Sequence, residues 1–171
     1  DAEKTANELN AQGYRVKYIY NDASKPDTFL SMVDEVVKNE GHLDVLVNNF
    51  GTSNPKKDLD FSHTDISDYL DIVTLNLRSV FMASQAAAKH MATHGGGSIV
   101  NISSSRDRMS MPQTESYTAA KGGISALTHA LSVSLAGKVR VNSISPGWID
   151  TDDIVYEGPD ATQQPVGRVG N

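Results

Sequence analysis

The hydrophobic and polar positions of the chain follow two periods in turn, one typical of helices and one typical of strands. Apolar residues recur at helical spacing in four segments, and short apolar runs of strand length stand beside them. The predicted helices cover residues 2–11, 26–39, 65–93 and 115–135, and the predicted strands cover residues 15–20, 43–48, 98–103 and 140–145. This alternation predicts an α/β fold built from βαβ units, with a parallel sheet and helices on both faces.

Length, charge and composition narrow the class of protein. A chain of 171 residues suits a single domain, which we expect to span residues 1–171. The net charge of −6, without long runs of one sign, argues against a nucleic-acid-binding surface. No apolar stretch reaches membrane-spanning length, and the absence of cysteine fits a reducing compartment, so we expect a cytoplasmic protein. The five histidines show no convergent spacing with carboxylates, so no metal site is predicted.

One pair of residues suggests acid–base chemistry. Tyr117 and Lys121 are four positions apart in a predicted helix, which places them on one face, a turn apart. A free phenol has a pKa of about 10, and a nearby ammonium lowers it. Tyr117 could therefore act as a general acid or base on a hydroxyl or carbonyl oxygen. The pair alone is explained as well by an exposed tyrosine beside a solvated lysine.

Three strand ends add polar or glycine-containing segments to this pair. Ser104 follows one strand, thirteen residues before Tyr117, where a hydroxyl can hydrogen-bond a reacting oxygen. The segments 48–51 (NNFG) and 146–147 (PG) follow two others, and Gly51 permits close approach of the backbone to a ligand. The alternatives are a loop-capping serine, with Ser103 and Ser105 competing for the role, a plain turn and a strand breaker.

Taken together, these segments resemble the short-chain dehydrogenase/reductase family. The similarity extends over nearly the whole chain, and the order and spacing of the matching stretches agree. These are residues 43–51 (LDVLVNNFG), 75–81 (LNLRSVF), 96–104 (GGSIVNISS), 117–123 (YTAAKGG) and 140–151 (RVNSISPGWIDT). The resemblance implies a Rossmann-type doubly wound parallel sheet, in which strands 3 to 6 are present and the first two strands and the last are missing.

The resemblance also implies roles for individual residues. Tyr117 looks like the catalytic acid/base, and Lys121 like the residue that lowers its pKa and binds the ribose of the cofactor. Ser104 looks like the hydrogen-bond partner of the substrate oxygen. Asn76 looks like the asparagine that holds a water in a proton relay, with a mid-helix Asn bonded to backbone as the alternative. The implied cofactor-binding residues, besides Tyr117 and Lys121, are Asp22, Asn49, Gly51, Pro146, Gly147, Ile149 and Thr151.

The family's glycine-rich phosphate-binding turn is absent from this sequence. The nearest glycine cluster, residues 95–97, precedes a strand and is interpreted as a helix terminator. In the 3-2-1-4-5-6 order, strand 3 pairs only with strand 2, and strand 4 pairs with strand 1. We therefore expect an unpaired strand at residues 15–20, a hydrophobic edge on the strand at residues 43–48, and a chain that is a piece of a longer protein.

The predicted function is an NAD(P)-dependent oxidoreductase that interconverts a secondary alcohol and a ketone, with NAD and NADP not distinguished. Residues 48–59 look similar to bacterial bile-acid 7α-hydroxysteroid dehydrogenases, and residues 109–123 to bacterial sugar-alcohol or ketone reductases, so the substrate stays open. A catalytically inactive cofactor-binding or oligomerisation module and a sugar-nucleotide epimerase are the alternatives. Small residues in two helices and the resemblance imply a homodimer or homotetramer. Phe50, where the family has Ala, and Trp148 receive no assigned role.

Overall fold

Residues 2–150 and 166–170 are described by a computed structural model, and their helices and strands follow the predicted alternation. The helices are α1 (Ala2–Ala11), α2 (Asp27–Glu40), α3 (Ile66–Val73), α4 (Ser79–Met91) and α5 (Glu115–Ser134). The strands are β1 (Val45–Asn48), β2 (Gly97–Ile102) and β3 (Val139–Ile144). Apart from the division of the helix predicted for residues 65–93 into α3 and α4, each bound lies within two residues of a predicted one, which confirms these assignments. None of the helices in these residues is long and apolar enough to cross a bilayer.

The strands form one parallel sheet in the order β1-β2-β3. Val45 of β1 pairs with Ser98 of β2, and Gly97 of β2 pairs with Val139 of β3. Parallel strands require crossover connections, which the intervening helices supply. The α/β class with a parallel sheet is therefore confirmed. Because all the strands run the same way, the segments that follow β1, β2 and β3 emerge at the same edge of the sheet.

A hydrophobic core lies between this sheet and helices α4 and α5. Ile99 of β2 is fully buried and packs with Met91 of α4, while Leu131 of α5 borders the same cluster. Small side chains on α4, such as Ala87, allow the helix to approach the sheet closely. The core therefore fixes where α5, which carries Tyr117 and Lys121, stands relative to the carboxyl ends of the strands.

The long helix predicted for residues 65–93 contains a wider turn in its middle. Asp65 caps its start by accepting a hydrogen bond from the Ser67 backbone N–H at 2.7 Å. Residues Thr74–Arg78 form a π-helical turn between α3 and α4, and this turn contains Asn76. Such turns occur mostly as single bulges within α-helices and often at functional sites.

The segment at residues 15–20, expected to be a strand without a partner, pairs with no other segment of the described residues and is therefore not assigned as a strand. No sheet ladder includes these residues, and the backbone of Val16 is instead bonded to the side chain of Asn10 at 2.8 and 2.9 Å. A strand is defined by a paired neighbour, and an open cavity of about 760 Å³ separates this segment from β1. The expected hydrophobic edge is present, since Val45 and Val47 of β1 are more than half exposed.

Candidate active site

Helix α5 presents Tyr117 and Lys121 on one face, as predicted from their spacing. The Lys121 ammonium lies 5.6 Å from the centroid of the Tyr117 ring. Lys121 is only 4% exposed, whereas Tyr117 is half-buried. The pair is therefore packed against the carboxyl end of the sheet and is not the solvated pair of the alternative interpretation.

The amine of Lys121 is held by the strand beside it. Its Nζ donates a hydrogen bond of 3.0 Å to the carbonyl oxygen of Ile102, the last residue of β2. Burial lowers the pKa of Lys121 because it removes the ammonium from water. An ammonium has three N–H donors, and Ile102 accepts the bond from one of them, so further donors remain for a ligand.

The pKa of the Tyr117 phenol is raised, which is opposite to the direction expected from the sequence. Burial is the largest cause, and it outweighs a hydrogen bond from the Ser104 hydroxyl and the positive charge of Arg106, both of which lower the pKa. Lys121 is not among these causes. Its ammonium stands over the ring and bonds to a main-chain carbonyl, so the expectation that Lys121 lowers the pKa of Tyr117 stays a prediction.

The register of β2 decides which of three consecutive serines serves the phenol. Ser103 is buried, and its Oγ donates to the Lys121 carbonyl oxygen at 2.8 Å. Ser105 begins a short 3-10 turn. Ser104, which lies between them, interacts with the Tyr117 phenol, and its Oγ also accepts a hydrogen bond of 3.2 Å from the Arg106 N–H. Ser104 therefore caps the turn and acts on the phenol, while its role as the hydrogen-bond partner of a substrate oxygen stays a prediction.

Asn76 anchors the segment that follows β1. Its Nδ2 donates to the carbonyl oxygens of Ile72 at 2.8 Å and Thr52 at 3.0 Å, and its Oδ1 accepts from the Thr52 N–H at 3.0 Å. Asn76 is completely buried, and these contacts match the alternative of a mid-helix Asn bonded to backbone. A role for this residue in a proton relay stays a prediction.

Gly51 lies where Asn76 and Lys121 converge. A Cβ atom at this position would stand 2.5 Å from the Oδ1 of Asn76 and 3.1 Å from the Nζ of Lys121. Its φ of +152° lies in a region that side chains other than glycine rarely adopt. The backbone at residue 51 therefore lies so close to both side chains that there is no room for a Cβ atom, and the position requires glycine. Asn49 and Phe50, just before it, are exposed.

Asp22 lies in a turn whose backbone is bonded by Arg78, the last residue of the π-helical turn that follows α3. Its carboxylate accepts hydrogen bonds from the Ser24 N–H at 3.0 Å and the Ser24 hydroxyl at 2.7 Å, and these bonds are the main causes that lower its pKa to about 2. Arg78 donates to the carbonyl oxygen of Ala23 at 3.2 Å. Asp22 therefore acts as a turn cap in this structure, and its contact with an adenine stays a prediction.

The segment that follows β3 contacts the three consecutive serines, residues 103–105, that follow β2. The Ser105 N–H donates a bond of 2.8 Å to the carbonyl oxygen of Pro146, which places residues 146–147 beside Ser104. Ile149 forms an isolated parallel bridge with Gly170. Trp148 is 43% exposed, and its carbonyl oxygen accepts a bond from the Gly170 N–H. Thr151, also predicted to bind the cofactor, lies outside the described residues.

Sequence reasoning missed a buried polar network beneath the site. Asn48 donates to the Oδ1 of Asn101 at 2.8 Å and to the hydroxyl of Ser84 at 3.0 Å. Asn101 in turn donates to the Thr128 hydroxyl at 2.9 Å. The apolar strand pattern at residues 98–103 gives one available signal, since Asn101 is a polar residue on a buried strand.

Sequence reasoning also missed Asp58, a carboxylate that is only 2% exposed. It accepts hydrogen bonds from the Ser116 and Tyr117 N–H groups, both at 3.1 Å. No local pattern could have indicated this contact, because the partners are 58 and 59 residues apart.

The described residues offer places for a dinucleotide but show no metal centre. Gly51 leaves room for close approach, and Lys121 offers donors beside it, which suits a ribose hydroxyl. Within residues 2–150 and 166–170, no three side chains of His, Cys, Asp or Glu are grouped so that they could hold a metal ion. The donors at the site are hydroxyl, phenol, amine and amide groups.

Comparisons with known proteins show which family the chain is similar to. A family model described as enoyl-(acyl carrier protein) reductase matches residues 1–166. The chain is 33% identical over 176 residues to a 7α-hydroxysteroid dehydrogenase of Paraclostridium sordellii, and the match covers 99% of this chain and 66% of that protein. The chain thus spans about two thirds of the length of this curated relative.

Solved structures show the same likeness. An acetoin dehydrogenase from Enterobacter cloacae matches with a TM-score of 0.87 and 33% identity, over 99% of this chain and 68% of that one. A gluconate 5-dehydrogenase from Burkholderia cenocepacia, solved in complex with NADP and tartrate, matches with a TM-score of 0.87 and 26% identity over the same shares. All three of these proteins are named as dehydrogenases.

Proposed function

Because the chain belongs to the short-chain dehydrogenase/reductase family, we propose that it interconverts a secondary alcohol and a ketone, with NAD or NADP as the hydride carrier. The observation that carries this proposal is the environment of the Tyr117 phenol. The Ser104 hydroxyl acts on it from one side, and the Lys121 amine lies 5.6 Å from the centre of its ring. An acid or base, a hydrogen-bond donor and a ligand-binding cation therefore meet where parallel strands end.

In the reducing direction, the Tyr117 phenol donates its proton to the substrate oxygen, while the Ser104 hydroxyl hydrogen-bonds the same oxygen. In the oxidising direction, the phenolate removes the proton of the substrate hydroxyl. When bound, the nicotinamide supplies or accepts the hydride at the carbinol carbon. Since burial raises the pKa of Tyr117, the protonated phenol predominates at neutral pH, which favours its role as the proton donor.

Residues that follow β1 and β3, together with Asp22 and with Lys121 of α5, would hold the cofactor. Gly51 supports this assignment because it has no side chain to block the approach of a ligand. Lys121 supports it because Ile102 accepts a hydrogen bond from only one of its N–H donors. Asp22 and Asn49 would contact the adenosine half, while Pro146, Gly147, Ile149 and Thr151 would meet the nicotinamide half, as the resemblance implies. Asn76 supports the same cradle through its bonds to Thr52.

The substrate is proposed as a secondary alcohol or ketone. The relatives are named for a hydroxysteroid, for acetoin and for gluconate. These names cover a polycyclic, a small and a polar substrate, so we keep the substrate class broad, with a hydroxysteroid as one candidate. We also propose that residues 1–171 form one domain, and that the protein works in the cytoplasm.

We further propose a homodimer or homotetramer assembled through the faces of α4 and α5. An open, mostly apolar groove of about 380 Å³ lies between these helices and is lined by Leu77, Phe81 and Leu127. Phe81 is 44% exposed there. Gly123 allows α5 to pack closely against Leu77, because a Cβ on this glycine would stand 2.8 Å from a methyl group of Leu77. A second copy would bury this apolar surface.

A turnover assay tests the proposed function. The purified chain is mixed with NAD or NADP and a panel containing a bile acid with a 7α-hydroxyl group, acetoin, gluconate and a sugar nucleotide. The absorbance of the reduced nicotinamide is followed, and the sugar-nucleotide products are separated by chromatography. Turnover of at least one alcohol by the native chain supports an oxidoreductase. Cofactor binding without turnover of any alcohol indicates an inactive module, and conversion of a sugar nucleotide without net cofactor reduction indicates an epimerase.

A further inference from the structure

Asp58 connects the segment after β1 to the beginning of α5. It lies between Gly51 and α3 in the sequence and is almost completely buried. Its Oδ1 accepts hydrogen bonds from the N–H of Ser116 at 3.1 Å and the hydroxyl of Ser116 at 2.8 Å. Its Oδ2 accepts a bond from the N–H of Tyr117 at 3.1 Å. Both oxygens are therefore engaged by two consecutive residues, one of which is Tyr117.

The Asp58 carboxylate supplies hydrogen-bond acceptors to the N-terminus of α5. The first backbone N–H groups of an α-helix have no partner within the helix, and its N-terminus carries partial positive charge. Thr114 occupies the capping position, but its side chain makes no capping bond. Its hydroxyl instead donates to the carbonyl oxygen of Met111 at 2.6 Å. Asp58 thus replaces the local cap with one from a distant loop, and three hydrogen bonds offset the cost of burying its charge.

The segment from Gly51 to Asp58 contacts the candidate site at both of its ends. At its start, Asn76 binds the backbone of Thr52, and Gly51 lies against Asn76 and Lys121. At its end, Asp58 binds the backbone of Tyr117. A shift of this segment would therefore change where the phenol stands relative to Lys121.

We propose that Asp58 is a positioning residue that holds the first turn of α5, and with it the Tyr117 phenol, in register with Ser104 and Lys121. It acts through the backbone and does not touch the substrate. This role rests on the proposed function of Tyr117. Misplacement of a reacting group by about 1 Å can cost on the order of 100-fold in rate, so loss of this contact has a measurable effect.

The test compares Asp58→Ala and Asp58→Asn with Asp60→Asn as the matched control. Asp60 lies two residues away in the same segment, and its carboxylate is exposed and bonded to His63. We expect Asp58→Ala to lower kcat by ~10- to 100-fold with the KM for the cofactor changed by less than about twofold. Asp58→Asn keeps one acceptor oxygen and should recover part of the loss. Asp60→Asn should behave as the native chain does.

Two further readouts separate positioning from general destabilisation. Displacement of the phenol changes the burial that raises the pKa of Tyr117 and the contacts with Ser104 and Arg106 that lower it, so the pH profile of oxidation by Asp58→Ala should shift. Amide exchange at Ser116 and Tyr117 should be faster by at least about tenfold, while exchange at Ile124, deep in the same helix, stays slow.

Each outcome bears on the proposal. A kcat within about twofold of native, an unchanged pH profile or unchanged exchange at Ser116 and Tyr117 would overturn it. If the native chain turns over no alcohol, the proposed function fails first. The exchange measurement then decides by itself whether Asp58 holds this turn, because it needs no activity.

Discussion

The side-chain amide of Asn48 on β1 donates a hydrogen bond of 2.8 Å to the Oδ1 of Asn101, its register partner on β2. Asn101 is completely buried and also donates to Thr128 of α5, so one side chain joins two strands and a helix below the candidate site. Low dielectric strengthens such bonds and makes any unpaired member costly.

Removal of Asn101 is therefore expected to destabilise the fold. Asn101→Ala leaves the Asn48 amide without its acceptor, and the free energy of unfolding should fall by about 2–3 kcal/mol in urea titration. Asn142→Ala, on the exposed side of β3, is the control and should change it by no more than about 0.5 kcal/mol. A similar small change in both variants would mean that the network contributes little.

Gly51→Ala is predicted to damage the site as well as the backbone. The new Cβ would meet the Oδ1 of Asn76 at 2.5 Å, so the Asn76 side chain must move. We expect a loss of stability of about 1–3 kcal/mol together with weaker binding of NAD(P)H, measured by fluorescence titration.

Gly41→Ala isolates the backbone contribution to this effect. Gly41 has a φ of +81° at the end of α2, and a Cβ there meets no atom within 4 Å. It should lose about 1–2 kcal/mol of stability and bind the cofactor normally. Normal cofactor binding by Gly51→Ala would contradict the assignment of Gly51 to the cofactor cradle.

The pH dependence of turnover should follow Tyr117 and respond to Arg106. Because the pKa of Tyr117 is raised, reduction, which uses the protonated phenol, should stay constant from neutral pH to about pH 10 and decline above it. Oxidation uses the phenolate and should increase over the same alkaline range. Arg106→Gln removes a charge that lowers this pKa, so the oxidation profile should move to higher pH.

Arg108→Gln is the control for this profile, since Arg108 is exposed and is not among the causes that shift the pKa of Tyr117. Profiles measured for both variants with the same substrate would distinguish the two positions. An oxidation profile that moves to lower pH in Arg106→Gln would show that Arg106 does not act on the phenol in the way described.

Self-association should depend on Phe81. Phe81→Glu places a charge in the apolar groove between α4 and α5, which is unfavourable when a second copy covers it. Sedimentation velocity should therefore show a shift towards monomer. Phe61→Glu is the control, because Phe61 is 84% exposed outside this groove. Equal association of both variants and the native chain would place the interface elsewhere.

The sequence predicted the elements well because their periods are local. Helix α5 and strand β2 each carry a continuous pattern, and their bounds agree within two residues. The π turn at Thr74–Arg78 was not predicted, and it lies within the single helix predicted for residues 65–93. The segment at residues 15–20 has a strand pattern, but pattern cannot supply the neighbour that a strand needs.

In the candidate site, too, the contacts within one helix could be predicted from the sequence, while those that depend on the packing of the whole fold could not. Spacing along one helix placed Tyr117 and Lys121 together, and the order of motifs pointed to Ser104. The direction of the pKa shift of Tyr117 depends on burial, which follows from packing across the whole fold. Asp58 reaches its partners across 58 residues, so no local pattern in the sequence could predict that contact.

The most direct measurement is turnover by Tyr117→Phe compared with Tyr69→Phe, a matched loss of a hydroxyl from a partly buried tyrosine in α3. If the Tyr117 phenol moves the proton, Tyr117→Phe should lose at least about 100-fold in kcat while it binds NAD(P)H as tightly as the native chain. Tyr69→Phe should retain native turnover. Native turnover by Tyr117→Phe would contradict the assignment of the reaction to this residue.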